Sequence, residues 1–90
     1  MNDDDLKNLD PATKHLYLDD TQVTDAGLKR LKGLTALQEL YLNSTPVTDA
    51  DLEDLKNLTA LQWLSLYNTK ITGAGLASLQ KSLPNCRIYY

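Results

Sequence analysis

A leucine recurs every 24 residues along this chain, at Leu16, Leu40 and Leu64, with Ile88 continuing the series. A second set, Leu18, Leu42, Leu66 and Tyr90, keeps the same interval. The stretches LYLDDTQVTDAGLKRLKGLTALQE, from Leu16, and LYLNSTPVTDADLEDLKNLTALQW, from Leu40, are identical at 16 of 24 positions, and LSLYNTKITGAGLASLQKSLPNCR follows from Leu64. A block this short cannot bury its own apolar face. A fixed period in this range therefore restricts the chain to architectures that stack one supersecondary unit on the next.

The apolar rhythm changes within each block. The LxL alternation predicts a short strand with one buried face. GLKRLKGL and DLEDLKNL then space leucines three apart, which reads as helical. Thr24, Thr48 and Thr72 fall where an N-cap oxygen accepts from the first free backbone N–H groups. Asp25 and Asp49 follow in the first turn, where a carboxylate favours the positive end of the helix dipole. Thr48 with Asp51 resembles a capping box, with Asp in place of Glu or Gln. Strands joined this way lie parallel, with the helices outside. Nineteen leucines and no phenylalanine suit such repeated geometry.

The pattern LxxLxxLxLxxTxVTDAGLxxL resembles the leucine-rich repeat, in the short-helix form of ribonuclease-inhibitor-like and F-box-associated proteins, and is closest to bacterial repeat proteins rich in TDAGL. The resemblance covers about residues 14 to 90. It implies an α/β fold: a right-handed solenoid of about three 24-residue repeats, with a parallel sheet on the concave side and short helices on the convex side. Residues 1–13 would form an N-terminal cap. For function the family implies protein recognition and no single reaction. Its usual turn asparagine is here Thr21, Thr45 and Thr69, whose hydroxyls can bond the turn backbone in the same way.

At the ends, residues 4 to 9 read as a degenerate helix, begun by Asp3 or Asp4 and stopped by Pro11. Asp3, Asp4 and Asp5 read as helix-start charge rather than a cation site. SLPNCRIYY closes on a strand over residues 86 to 90, an exposed parallel edge bearing Tyr89 and Tyr90. Cys86 is expected to be structural, since nothing but Arg87 hints at an activating environment.

In a leucine-rich repeat, the residues flanking the strand leucines face the concave side. Read off this chain, they form three rows: His15, Glu39, Trp63, Arg87; Tyr17, Tyr41, Ser65, Tyr89; and Asp19, Asn43, Tyr67. Five of the six aromatic residues stand in these rows, and the sixth, Tyr90, occupies a core register. Tyr, Trp, Arg and His dominate binding hot spots. A Tyr17–Tyr41 ladder would also stabilise a sheet without any ligand, so both readings stand at this point. His15 beside Glu39 reads as a surface pair. Strands ~4.8 Å apart give a face only ~15–20 Å wide, against roughly 800 Å2 per partner in a standard interface, which suits a peptide-sized ligand.

The net charge of −3, with no basic stripe, argues against nucleic acid. No apolar run resembles a secretory signal or reaches the ~20 residues that span a bilayer, and one cysteine allows no internal disulfide, so compartment is left open. One histidine, no phosphate loop, no G-x-S-x-G and no Cys/His zinc spacing leave no catalytic or metal site to expect, and no cofactor. The expectation is a non-catalytic protein-interaction module taking a peptide or protein segment on the aromatic sheet face. The alternative is an assembly unit, a repeat fragment or an engineered mini-solenoid, that forms a homodimer through its C-terminal edge. A third is sugar stacking on Tyr17, Tyr41 and Trp63.

Overall fold

The computed structural model describes residue 6 and residues 9–90. The fold is mixed α/β. In chain order it comprises β1 (His15–Tyr17), α1 (Asp25–Leu28) continued by a 3-10 helix (Lys29–Gly33), β2 (Glu39–Tyr41), α2 (Asp49–Leu55), β3 (Trp63–Ser65), α3 (Gly73–Ser82) and β4 (Arg87–Tyr89). The four strands form one parallel sheet in the order β1-β2-β3-β4, with Leu16, Leu40, Leu64 and Ile88 in line. Most of the helix expected over residues 4 to 9, with its Asp3–Asp5 start, lies outside the described residues; Leu6 is described, and it is buried. Among the described residues no helix is long and apolar enough to cross a membrane.

The helices are less uniform than expected: α1 has four residues before its 3-10 continuation, whereas α2, with the same leucine spacing, has seven. Leu28, Leu31, Leu34 and Leu37 are three apart throughout, which matches the 3.0-residue turn of a 3-10 helix better than the 3.6 of an α-helix. The backbone accordingly turns with i→i−3 bonds, Leu34 N–H to Leu31 O (2.9 Å) and Leu37 N–H to Leu34 O (3.0 Å), and the second block does the same at Leu58 and Leu61. In the third block the spacing becomes Leu76, Leu79, Leu83. There an α-helix persists for 10 residues, and Leu83 N–H reaches Leu79 O at 2.9 Å.

One leucine-rich cluster, with Val23, Val47 and Cys86, fills the space between sheet and helices. Each strand leaves it through the same turn. Thr21, Thr45 and Thr69 hydroxyls donate to the carbonyls of Leu18, Leu42 and Leu66 at 2.7, 2.7 and 2.8 Å, so each turn satisfies an acceptor that would otherwise be stranded beside the core. Asp20, Ser44 and Asn68, one residue earlier, hold left-handed φ values of 59°, 57° and 56°.

The caps do more than close helices. Thr48 N–H donates to Asp51 Oδ2 (2.8 Å) and Thr48 Oγ1 accepts from Ala50 N–H (3.3 Å), completing the capping box. Thr72 Oγ1 accepts from Gly75 N–H (3.3 Å) at the start of α3, whereas Thr24 holds the N-cap position of α1 without the expected side-chain cap bond. Asp49 also reaches into the next block, where it accepts from Thr72 N–H (2.8 Å) and from the Thr72 hydroxyl. Those two bonds hold its carboxyl below the usual carboxylate range. The Thr48 hydroxyl stands 3.4 Å from Asp25 in the same relation. Dipole reasoning alone had not anticipated these ties between blocks.

Candidate binding face

Alternation along each strand turns the central residue to the core and its two neighbours to the other side of the sheet. Parallel register then lines His15, Glu39, Trp63 and Arg87 in one row and Tyr17, Tyr41, Ser65 and Tyr89 in another. The aromatic residues sort into two stacked pairs. Tyr17 and Tyr41 lie 4.8 Å apart at 10°, and Trp63 and Tyr89 lie 4.3 Å apart at 26°. Stacking half-buries Tyr41 and Trp63, while Tyr17 remains 63% exposed.

Glu39 organises the first pair. Its Oε1 accepts from the Tyr41 hydroxyl at 2.6 Å, and its Oε2 lies 3.3 Å from His15 Nε2. The bond to Glu39, with burial second, pushes the Tyr41 hydroxyl up to about 12, so Tyr41 is a fixed donor to that carboxylate at any physiological pH. Between the two pairs runs a groove of about 660 Å3 lined by Glu39, Tyr41, Gln62, Trp63, Asn85 and Arg87. That volume lies within the ~300–1,000 Å3 of ordinary ligand sites. Gln62 and Asn85 were absent from the sequence rows because each precedes its strand, where the alternation that assigns faces has not begun.

Other expected face residues serve the scaffold. Ser65 is buried, and its hydroxyl donates to Asn43 Oδ1 at 2.8 Å. The same Asn43 oxygen accepts from Tyr67 N–H (2.7 Å), and Asp19 Oδ1 accepts from Asn43 N–H (2.8 Å). The two side chains thus extend the inter-strand ladder past the ends of the strands, and their carbonyl and carboxylate oxygens point along the sheet at backbone. Tyr67 itself is 67% exposed, beyond the groove. Tyr90 departs from its expected core register: it follows β4 on an edge of the sheet and is 77% exposed. Cys86 is buried as expected, and burial pushes its thiol up to about 11, well away from thiolate chemistry.

A second group of charges lies among the helices. Asp51 is fully buried, and Asp54, also buried, pairs with Lys32 at 3.1 Å. Burial first, then the adjoining Asp25 carboxyl, pushes Asp51 up to about 7. Its Oδ1 has no hydrogen-bond partner among the described residues, and burial with Asp25 beside it favours the protonated carboxyl. Among the described residues, no group of three or more His, Cys, Asp or Glu side chains is arranged to hold a metal ion. No protein-family model matches this chain and no curated protein matches it, so the groove is understood from its own side chains.

Proposed function

We propose that the chain is a leucine-rich-repeat solenoid of about three 24-residue units, and that it is a non-catalytic module binding a peptide or protein segment across its concave sheet face. One observation carries the reading: the groove lined by Tyr41 and Trp63, one ring from each stacked aromatic pair. Sheet packing alone accounts for Tyr17 on Tyr41. It accounts less well for Trp63, whose buried indole N–H has no acceptor among the described residues. An unmet buried donor costs the fold about 1–3 kcal/mol. A leucine would pack against Tyr89 without that cost, so a role at the groove explains the tryptophan better. The lining amides of Gln62 and Asn85 suit the backbone of an extended peptide.

The test is a titration with peptides selected from a random library, read by Trp63 fluorescence. Binding should shift the emission, and Trp63→Ala, which removes the single tryptophan and is therefore titrated by calorimetry, should bind at least ~2 kcal/mol more weakly, about thirtyfold. Unchanged affinity in a folded Trp63→Ala protein would remove the groove from consideration. A second reading, self-association along β4, draws on the exposure of Tyr90 and an apolar groove of about 250 Å3 beside it, lined by Leu76, Ala77 and Ile88 among others. Sedimentation at several concentrations distinguishes it from a monomer of 10.1 kDa.

A further inference from the structure

We infer that the groove selects a segment carrying an acidic side chain, whose carboxylate is held by Arg87; this rests on the peptide-binding reading above. The two walls of the groove differ in how their polar groups are occupied. On the β2 side, both Glu39 oxygens are engaged, one by the Tyr41 hydroxyl and one by His15. Each oxygen of that acceptor-only wall already has a partner, one of them the His15 side chain set against its negative charge. On the β4 side, the side chains of Gln62, Asn85 and Arg87 line the same groove, and none has a hydrogen-bond or ion-pair partner among the described residues. Arg87 is exposed, and it stands directly across from Trp63 in the strand register.

The three groups share one chemistry. The guanidinium supplies five donors and no acceptor, in a fork that matches a carboxylate, and each amide supplies two further N–H donors. A charged donor wall beside a stacked aromatic pair accepts a carboxylate at Arg87 with an apolar side chain against Trp63 and Tyr89. Among the described residues no other lysine or arginine lines the groove to compete for this ligand. A side-chain carboxylate is the source we commit to. A terminal carboxylate is usually captured by a nest of backbone N–H groups, whereas here the donors are long side chains on an open face. Net charge does not draw an acidic ligand to this chain from a distance, so the preference is a short-range one.

The experiment uses the full chain and two random peptide libraries, one C-amidated and one with free C-termini. Binders from the amidated library should be enriched in Asp or Glu beside an aromatic or aliphatic residue. Replacing that Glu by Gln in a selected peptide should weaken binding about tenfold. Arg87→Gln should erase the difference between the Glu and Gln peptides, whatever it does to the affinity they share. Arg87→Lys should retain part of it. Equal binding of the two peptides, or an unchanged preference in Arg87→Gln, overturns the inference and leaves the groove reading intact provided Trp63→Ala still weakens binding about thirtyfold. Enrichment only among free C-termini, without acidic residues, assigns the carboxylate to a chain end and also overturns it. An absence of binders from either library counts against the groove itself.

Discussion

Gly75 faces the carboxylate of Asp49 so closely that a β-carbon there would overlap it, whereas Gly73, two residues earlier on α3, opens onto free space. Alanine is ordinarily better than glycine in a helix by about 0.5–1 kcal/mol. Gly73→Ala should deliver a gain of that order as a rise in melting temperature. Gly75→Ala should deliver none, because the methyl must drive Asp49 from the Thr72 amide and hydroxyl it holds. An equal rise in both variants, measured by thermal denaturation, would show that the Asp49–Thr72 tie does not constrain the helix start. The need for glycine at 75 was not legible in the sequence, since it depends on a side chain 26 positions away.

Within α2, the capping box combines a useful cap with a buried carboxyl. Asp51 binds the Thr48 amide through one oxygen and keeps the other dry. The sign of its pH effect follows from the raised folded-state value. Between the ordinary value of 3.8 and about 7 the folded chain retains a proton that the unfolded chain releases, so rising pH through that interval lowers stability. Asp49 works in the opposite sense: its lowered value adds stability above 3.8 that is lost as pH falls through the folded value. Asp51→Asn keeps a carbonyl for Thr48 and an amide for Asp25, with nothing left to ionise. Its urea midpoint should match the parent's near pH 4 and exceed it at pH 8. A variant weaker than the parent at both pH values would mean that the carboxylate form is the favoured one. The capping box was visible as Thr48-x-x-Asp51, but the proton was not, because burial by Leu-rich neighbours is what creates it.

Across the molecule, each strand pairs only with its sequence neighbours, so the sheet's middle strands are covered on both flanks and its edges on one. Leu64 is fully buried in β3, while Leu16 on the β1 edge retains some exposure. Leu64→Ala should cost roughly 3 kcal/mol, within the range of large-to-small core changes. Leu16→Ala should cost less. Against a total of about 5–13 kcal/mol for a domain of this length, the first change is a substantial fraction. Urea unfolding followed by Trp63 fluorescence and by far-UV circular dichroism checks both variants. Equal losses at the two positions would contradict the neighbour-only packing.

The 24-residue interval by itself dictated parallel strands, their in-line register and a leucine core, since a period transmits the same side chain to the same place in every block. It also placed His15, Glu39, Trp63 and Arg87 in one row, because strand alternation is a local property. What it could not decide is which of those residues stay free. Stacking of Trp63 on Tyr89, engagement of Glu39 by Tyr41 and His15, and diversion of Asn43 and Ser65 into the ladder all depend on neighbours brought together from 22 to 26 positions apart, or on rotamers within one strand. Only the folded chain therefore separates the donor wall at Gln62, Asn85 and Arg87 from the satisfied wall at Glu39.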